Sequence, residues 1–321
     1  MIDWTNQQSE SHYVRMESVS LVTSMYNAGP EALAVVENLF FPSLFRNGGP
    51  HVQLLLLDDG SPLRAETRQM IQRWQERLQN AFGEFRYLEN DNNLGFSASY
   101  NRLMQSADGR VIVMANDDVY FPAGAIPRLV SPLMADLAIG TVAPLTDYAF
   151  SFQNTRLFRQ LADYSAAELG RIEQFDKLLQ ERVGGTLIAV PFYDVIGFCQ
   201  AFRKADLERL GYFDPAFEYG TYEDRDLNKR LADTGAGIVV RADTFVKHGG
   251  PKGGSLSIRR HDQVQTHHVT RNRSLFSEKH GSDLAEAMEH RNRSQYWEGR
   301  HTIDDLLRQK LGGLAILPSL P

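Results

Sequence analysis

Short apolar runs alternate with longer amphipathic segments over residues 19–115 of the chain. Each run is short and bounded by turn residues, so four strands are predicted, at residues 19–24, 52–57, 85–89 and 110–115. The intervening segments have helical periodicity and predict helices at residues 30–45, 63–82 and 95–106. Strands that alternate with helices in this way predict βαβ units and a mostly parallel sheet.

The alternation is interrupted over residues 146–191, where the capping box Ser165-Ala-Ala-Glu168 predicts a helix. We expect this segment to be an insertion that packs over the sheet. The later predicted elements are a strand at 195–202, helices at 204–210 and 221–234, and a strand at 238–241. These patterns predict an α/β domain over residues 1–250 and a glycine-rich loop with a helical extension over residues 251–321.

Polar side chains follow three of the predicted strands. They are Thr23 and Asn27, then Asp58 and Asp59, and finally Asn116, Asp117 and Asp118. Asp and Asn favour turns, which accounts for any one group on its own. Ligands of open α/β sheets bind beyond the carboxyl ends of the strands, so three groups at one edge predict a binding site there. The closely spaced acids at 116–118 suit Mg²⁺ or Mn²⁺, which take oxygen ligands.

A second acidic group, Glu223, Asp224 and Asp226, opens the helix predicted at 221–234. Acids in a first helical turn also simply favour the helix dipole. The preceding segment, GYFDPAFEYG, is aromatic and is typical of a pocket wall. A carboxylate in such surroundings has a raised pKa and can act as a general base. His248 follows the last predicted strand and becomes a candidate metal ligand if the fold brings it to Asp118.

Composition narrows the class of protein. The chain has 321 residues, enough for two domains or for one large α/β domain with additions. Its single cysteine, Cys199, excludes an internal disulfide. A net charge of −6 argues against nucleic-acid binding as the main role. With no signal-peptide pattern and no stretch near the roughly 18 apolar residues of a membrane span, we expect a cytoplasmic protein, with peripheral membrane attachment as the alternative.

Five segments together resemble a known family. In order they are VSLVTSMYN, LLLLDDGSP, NDNNLGFSASYNRLMQSADGRVIVMANDDVYFP, VIGFCQAFRKADLERLGYFDPAFEYGTYEDRDLNKRL and VKHGG. This order is similar to that of the inverting family 2 glycosyltransferases of the GT-A fold, rhamnosyltransferase-like members included. The resemblance covers residues 19–250 and implies a GT-A Rossmann-like sheet flanked by helices.

The resemblance implies a role for each matching residue. Donor-binding positions are Thr23, Tyr26 and Asn27 around the nucleotide, Asp58 at the base, and Asn93, Gly95 and Asn101 beneath nucleotide and sugar. The family's D-x-D metal motif appears here as Asn116-Asp117-Asp118. Asp118 is then the direct ligand of Mn²⁺ or Mg²⁺, with His248 completing the metal site and Asn116 and Asp117 facing the donor. Asp224 matches the catalytic base.

The implied reaction is a metal-assisted single displacement. A sugar passes from a nucleoside-diphosphate sugar to a hydroxyl of a glycan, lipid-linked or small-molecule acceptor. A sugar-phosphate nucleotidyltransferase is an alternative, but the segment SMYNAGPEAL lacks the basic phosphate loop of that class. A non-catalytic nucleotide-sugar-binding protein is another, and it would have no need of Asp224.

The C-terminal segment differs in charge from the rest. Residues 247–321 contain 12 Lys and Arg against 8 Asp and Glu, a net charge of +4, and seven of the nine histidines; residues 1–246 have 22 against 32, a net charge of −10. We expect Arg259 and Arg260, with Lys252, Arg271 and Arg273, to form a lid over the donor diphosphate. A surface for an anionic acceptor or a partner subunit is the alternative. The end of the chain, with Trp297, Leu306 and Leu307, is expected to pack or to form a homo-oligomer.

Overall fold

The computed structural model describes residues 19–218, 220–251, 262–297 and 302–310. Within these residues, an eight-stranded central sheet has the order β3-β2-β1-β4-β8-β6-β9-β7. Its strands are β1 (Val19–Met25), β2 (Gly49–Asp58), β3 (Phe82–Glu89), β4 (Val111–Ala115), β6 (Ile139–Leu145), β7 (Leu187–Ala189), β8 (Cys199–Arg203) and β9 (Gly237–Phe245). A separate pair joins β5 (Val119–Tyr120) to β10 (Lys247–His248).

Helices connect and cover these strands. They are α1 (Pro30–Val35), which continues through a π-helical turn (Val36–Phe40) into α2 (Phe41–Leu44), then α3 (Arg64–Ala81), α4 (Gly95–Ser106), α5 (Ala125–Ala135), α6 (Ala166–Val183), a 3₁₀ turn (Pro191–Tyr193), α7 (Lys204–Leu210) and α8 (Glu223–Ala232). The C-terminal helices are α9 (Asp262–His280), α10 (Ser282–Trp297) and α11 (Thr302–Lys310).

The sheet is mostly parallel, with one reversal that matters for the site. Strand β1 pairs in parallel with β2 and β4, and β2 pairs in parallel with β3. Strand β8 lies antiparallel between β4 and β6. The carboxyl ends of β1, β2 and β4 therefore meet the beginning of β8 at one edge. The predicted α/β class, with a mostly parallel sheet flanked by helices, is confirmed.

The sheet has an apolar layer on each face. In β2, Leu55 and Leu57 belong to one buried cluster, whereas Leu54 and Leu56 belong to the other. This explains the continuous Leu run, because a strand covered on both faces buries every side chain. Cys199 in β8 is fully buried as a free thiol, and burial raises its pKa.

The predicted insertion contains a helix that packs over the sheet. The Ser165 hydroxyl caps α6 by accepting a hydrogen bond from the Glu168 backbone N–H at 3.3 Å. On its buried side, the Phe175 ring packs against the rings of Phe158 and Phe245, the latter in β9, at centroid distances of 5.4 and 5.0 Å. The insertion is thus anchored to the sheet by aromatic side chains.

The C-terminal helices pack against the rest of the chain. Phe276 of α9 and Met288 of α10 form a buried cluster with Phe217 and Tyr222. Leu307 of α11 is fully buried in the core on one face of the sheet, so the expected packing of this leucine is confirmed. None of the helices in the described ranges is long and apolar enough to cross a membrane.

Two of the arginines expected in a lid are used inside the fold. Arg271 donates to the Ala216 carbonyl at 2.9 Å, and Arg273 pairs with Glu289 of α10 at 2.5 Å. Closure of these two arginines over a donor would require both contacts to break, and it stays a prediction. Lys252, Arg259 and Arg260 lie outside the described residues, and a lid formed by them stays a prediction.

Candidate active site

Asp58 ends β2 with a wholly buried carboxylate. Its Oδ1 atom accepts hydrogen bonds from the Ser61 backbone N–H at 3.0 Å and from the Ser61 hydroxyl. Among the described residues, its Oδ2 atom has no hydrogen-bond partner. Burial raises the pKa of Asp58, against the opposing effect of the Ser61 hydrogen bonds. A buried acceptor without a donor is costly, so Oδ2 is suited to an N–H group of a ligand.

Thr23 and Asn27 lie beside Asp58 at the end of β1 and are also buried. Asn27 is fixed at two points: its backbone N–H donates to the Ser61 hydroxyl at 2.7 Å, and its Nδ2 donates to Thr67 at 3.0 Å. The Thr23 hydroxyl and the Asn27 Oδ1 atom lack hydrogen-bond partners in the described part of the chain. The edge of the sheet therefore carries several polar atoms that a ligand could satisfy.

The loop that opens α4 is held by Asp59. Its two carboxylate oxygens accept hydrogen bonds from the backbone N–H groups of Leu94 at 2.8 Å and Gly95 at 3.0 Å. Asn93 is exposed, and its Oδ1 atom accepts from the same Gly95 N–H at 2.8 Å. The positive φ of Gly95, 81°, is a conformation that glycine adopts at no steric cost. Asn93 and Gly95 thus shape the beginning of α4.

Asn101 connects α4 to the segment before α8. Its Nδ2 donates to the Phe213 carbonyl at 2.9 Å, and its Oδ1 accepts from the Phe213 backbone N–H at 3.0 Å. Both ends of the amide are therefore engaged within the protein. Any contribution of Asn101 to donor binding acts through the position of these backbone segments.

The three residues after β4 have different surroundings. The Asn116 backbone N–H donates to the Phe198 carbonyl at 2.8 Å. Burial and the charge of Asp118 raise the pKa of Asp117 to about 8, although a hydrogen bond from the Tyr26 backbone opposes the shift. Asp118 is buried, and neither of its carboxylate oxygens has a hydrogen-bond partner among the described residues. Of the two acids, Asp118 is the one left with both oxygens available.

The structure brings His248 to Asp118. Strand β10 pairs with β5 so that His248 lies opposite Val119, and the Gly249 N–H donates to the Asp118 carbonyl at 2.6 Å. The imidazole Nε2 lies 3.4 Å from Oδ1 of Asp118. The Nδ1 atom lies 2.5 Å from the Tyr148 carbonyl oxygen, which can only accept, so Nδ1 carries the proton. In the neutral form of this tautomer, the unprotonated Nε2 atom is the ring nitrogen on the Asp118 side.

This arrangement fits a divalent cation. The Nε2 atom of neutral His248 and the Oδ1 atom of Asp118 are two acceptors 3.4 Å apart. The Tyr148 carbonyl fixes the tautomer of the imidazole, as hydrogen-bond acceptors do for many metal-bound histidines. Within the described residues, no group of three or more His, Cys, Asp and Glu side chains is placed to hold a metal. Asp118 and His248 could therefore supply two protein ligands, and phosphate oxygens would have to supply others.

Glu223 and Asp224 are the first two residues of α8, and both are buried. The Asp224 carboxylate accepts from the Gly197 N–H at 2.7 Å and from the Arg225 N–H at 2.7 Å. Burial raises the pKa of Asp224, whereas the positive charge of Arg225 opposes the rise. Burial and the charge of Asp224 raise the pKa of Glu223 to about 8. Burial thus favours the protonated form of both carboxyls, and at Asp224 the charge of Arg225 and the backbone N–H groups of Gly197 and Arg225 act in the opposite direction.

Gly197 and Phe198 connect the two acidic groups. While Gly197 donates to Asp224, the Phe198 ring stacks on the His248 ring, with centroids 4.7 Å apart and planes inclined by 21°. The predicted strand at 195–202 begins only at Cys199, because 195–198 leave the sheet to make these contacts. Two adjacent residues therefore contact the buried acid and the histidine, one residue each.

Asp226, the third acid of α8, has a different role. It pairs with His280 at 2.8 Å, with Lys279 at 2.7 Å and with Arg230 at 2.8 Å. Burial would raise its pKa, but hydrogen bonds from His280 and Lys279 lower it to about 2. Asp226 is therefore a structural ion-pair residue that joins α8 to α9.

Sequence reasoning missed two tyrosines near the site. Tyr148 contributes the carbonyl that orients His248, and its ring lies edge-on to that imidazole. A Cβ on Gly250 would lie 2.5 Å from the Tyr164 hydroxyl oxygen, so this phenol reaches the turn that follows His248. Both tyrosines come from the insertion, where no local motif indicates which side chains turn back towards the sheet. Arg259 and Arg260, predicted to bind donor, lie outside the described residues.

Comparison with known proteins gives the family. The family model described as glycosyl transferase family 2 matches residues 20–211, more than half of the chain. The chain belongs to glycosyl transferase family 2. Glycosyltransferase activity and the GT-A fold follow from this membership and agree with the sheet described above. A search of curated proteins finds no match to this family 2 chain.

Solved structures similar to this family 2 transferase include three of low sequence identity. The structure of S. aureus TarS 1–349 is 13% identical, covers 88% of this chain and 73% of that one, and has a TM-score of 0.52. The mannosyltransferase PcManGT from Pyrobaculum calidifontis, with GDP-Man and Mn²⁺, is 18% identical, with coverage of 92% and 86% and a TM-score of 0.49. GalNAc-T7 with UDP, GalNAc and Mn²⁺ is 15% identical, with coverage of 73% and 44% and a TM-score of 0.49, so this chain spans less than half of that protein.

Proposed function

We propose that this family 2 transferase moves a sugar from a nucleoside-diphosphate sugar to an acceptor hydroxyl with inversion at the anomeric carbon. The observation that carries the proposal is the pair of contacts made by Gly197 and Phe198, which hold Asp224 and His248 at one edge of the sheet. A base and a phosphate-binding centre at adjacent positions are what a single displacement requires.

Asp118 and His248 are the proposed ligands of a divalent cation, Mn²⁺ or Mg²⁺. When bound, this ion supplies positive charge that stabilises a departing diphosphate. Asp118 contributes a buried carboxylate, and His248 contributes the Nε2 atom in the tautomer that the Tyr148 carbonyl selects. Asn116, whose Nδ2 lies 3.4 Å from that Nε2, stays close enough to orient it.

Asp58 is the proposed reader of the nucleotide base. Its unpartnered Oδ2 atom would accept an N–H of the base, while Ser61 holds Oδ1. The open acceptors of Thr23 and Asn27 lie on the same side and would contact the nucleoside. We propose that Tyr26, Asn93, Gly95 and Asn101 contribute by shaping the backbone of this pocket.

Asp224 is the proposed general base. It takes the proton of the acceptor hydroxyl, whose oxygen then attacks the anomeric carbon while the bond to the diphosphate breaks. One base and no nucleophilic residue give inversion in a single step. Burial raises the pKa of this carboxyl, which makes it a stronger proton acceptor once ionised, and the buried carboxyl of Glu223 lies next to it in sequence with a pKa of about 8.

Family membership disfavours the nucleotidyltransferase alternative, and the buried Asp224 disfavours a purely binding protein. The acceptor is proposed to be a glycan, lipid-linked or small-molecule hydroxyl.

Mn²⁺ with UDP, GDP or dTDP should raise the melting temperature of the protein, since a bound ligand stabilises the folded state by a few kcal/mol at about 100 times its Kd.

Sugar nucleotides of the responding base should then release nucleoside diphosphate in a metal-dependent reaction. The anomeric configuration of the product, read by NMR, tests inversion. Retention of configuration would exclude the mechanism, and a stabilising nucleotide without any turnover would indicate a binding protein instead.

A further inference from the structure

Three consecutive residues immediately before α8 adopt left-handed backbone conformations. They are Gly220, Thr221 and Tyr222, with φ of 88°, 86° and 68°. Glycine tolerates this region, but a β-branched residue such as Thr221 is a genuine outlier there. Such strain is costly for each residue and persists only where the surroundings impose it.

The surroundings that impose it come from α9. Asn272 is fully buried, and its Nδ2 lies within hydrogen-bond distance of three backbone carbonyls: Glu218 at 2.9 Å, Gly220 at 3.2 Å and Thr221 at 3.1 Å. The Thr221 hydroxyl lies 3.4 Å from the same nitrogen. The side-chain amide of Asn272 is thus the shared donor for the carbonyls in and next to the left-handed turn at 220–222.

Further contacts hold α9 in register with α8. The Phe276 ring packs against the Tyr222 ring, with centroids 5.4 Å apart. Lys279 and His280 both pair with Asp226, which lies two residues after Asp224. The helix that carries Asn272 is therefore fixed to the same helix that begins with Glu223 and Asp224.

The turn controls where Asp224 points. Tyr222 caps the beginning of α8 from the position just before Glu223, and its carbonyl accepts from the Asp226 N–H at 2.8 Å. The Asp224 carboxylate is fixed at Oδ2 by the Gly197 N–H, so a rotation of the first turn would misalign Oδ1 and Oδ2. A displacement of about 1 Å in a catalytic group can cost 100-fold in rate.

We propose that Asn272 is a positioning residue for catalysis: it holds the left-handed turn at 220–222 and thereby aims Asp224 at the acceptor hydroxyl. This inference rests on the proposed role of Asp224 as general base. Residue 272 lies well beyond the segment 20–211 that matches the family model. The C-terminal extension would then be part of the catalytic machinery of this chain, through contacts made by α9.

The test compares Asn272→Ala and Asn272→Asp with Arg273→Ala. Arg273 is the next residue of α9, and it pairs with Glu289 of α10, which also accepts from the Tyr222 hydroxyl at 3.1 Å. Replacing Arg273 weakens helix packing but leaves both the Glu289–Tyr222 bond and the contacts of Asn272 with the turn carbonyls in place. Each protein is assayed for Mn²⁺-dependent binding of UDP, GDP and dTDP and for release of nucleoside diphosphate from the matching sugar nucleotides. Amide hydrogen exchange over residues 220–224 gives a readout independent of activity.

The expected result is a kcat about 100-fold lower in both Asn272 variants, with nucleotide Kd within about twofold of wild type. Exchange over 220–224 should rise in these variants and stay unchanged in Arg273→Ala. Adding Thr221→Gly to Asn272→Ala should raise kcat at least about tenfold above that of Asn272→Ala alone, because glycine adopts a positive φ without strain.

Unchanged kcat or unchanged exchange in the Asn272 variants would overturn the proposal. So would parallel losses of kcat and nucleotide binding that Thr221→Gly does not restore, since these indicate general unfolding. Asp224→Asn, measured alongside, distinguishes a failure of the base assignment from a failure of the proposal for Asn272. If that variant turns over normally, the assignment of the base fails; if it is inactive while Asn272→Ala is active, only the present inference fails.

Discussion

Nε2 of His248 lies 3.4 Å from Oδ1 of Asp118, and the proton of the imidazole is on the opposite nitrogen, facing the Tyr148 carbonyl. With a neutral imidazole, Nε2 and Oδ1 are two acceptors at this separation, and a cation bound between them would stabilise both. The two residues are 130 positions apart in sequence, and the pairing of β5 with β10 brings them together. The pairing of these two strands thus sets the separation between the two proposed metal ligands.

Removing either proposed metal ligand should abolish the metal dependence of nucleotide binding. Asp118→Asn and His248→Ala are each expected to weaken Mn²⁺ binding by at least about tenfold, because each removes one of two protein ligands. Isothermal titration with Mn²⁺ and nucleoside diphosphate measures this. Asp136→Asn, an exposed acid remote from the edge, is the control. Wild-type nucleotide affinity that survives EDTA unchanged would contradict the metal assignment.

Asp224→Asn should lower kcat by about 10²–10⁴-fold while nucleotide affinity stays near that of wild type. The amide can still accept from the Gly197 N–H, so the fold is preserved, but it cannot take a proton. Single-turnover assays and titration with nucleoside diphosphate provide the two measurements. Asp233→Asn, at the other end of α8 and exposed, should behave as wild type. Wild-type-like turnover by Asp224→Asn would reject the assignment.

Glu223 should make the metal-free protein less stable as pH rises. Its folded-state pKa is about 8, above the ordinary 4.5, so the folded state binds more protons than the unfolded state between these values. The free energy of unfolding therefore falls across this window. Glu223→Gln removes this fall in stability with pH. The variant should be more stable than wild type by at least about 1 kcal/mol at pH 8, and the difference should be smaller at pH 5. Denaturant unfolding at both pH values measures it; parallel pH profiles would refute it.

Asp58→Ala should weaken nucleotide binding by about 1–3 kcal/mol, since a base N–H would lose its acceptor. The loss should be similar for the free nucleoside diphosphate and for its sugar nucleotide, because Asp58 is assigned to the base. Calorimetry with both ligands tests this. Asp91→Asn, in the exposed neighbouring loop, is the matched control. A loss confined to the sugar nucleotide would move Asp58 from the base to the sugar.

Gly250→Ala should lower both stability and transfer. Its Cβ would lie 2.5 Å from the Tyr164 hydroxyl oxygen and 3.2 Å from Val35 Cγ2, so the turn after His248 must shift. Overpacking of this kind costs about 1–3 kcal/mol. Tyr164→Phe in the Gly250→Ala background removes the closest atom and should recover part of the loss. Melting temperatures of the four proteins give the coupling; strict additivity would show that Tyr164 is not the cause.

Much of the fold follows from the sequence because its signals are local. The helices at 95–106 and 204–210 have the predicted bounds, and Gly211 ends the second with a φ of 80°. The alternation of apolar runs and amphipathic segments in the sequence gave no prediction for residues 119–145, where β5, α5 and β6 lie. Pro132 inside α5 and Pro144 inside β6 obscure the periodicity of that region.

The site was predictable to the extent that its residues end strands. Asp58 and Asp118 stand at strand ends, and general rules for parallel sheets place them at one edge. Asn272, Tyr148 and Tyr164 could not be found in this way. Each acts through a contact with a residue at least 50 positions away, and an isolated Asn or Tyr in a polar helix or loop carries no signal of such a partner.

Cys199 has a practical consequence. It is the single cysteine of the sequence, and it lies inside β8 with no exposed surface. Burial raises the pKa of its thiol, which keeps it protonated and slow to react with maleimides or iodoacetamides. A cysteine introduced at an exposed position such as Leu137 would therefore be the principal target of a fluorophore or spin label. Spectroscopic distances could then be measured on the native background, without first engineering a cysteine-free protein.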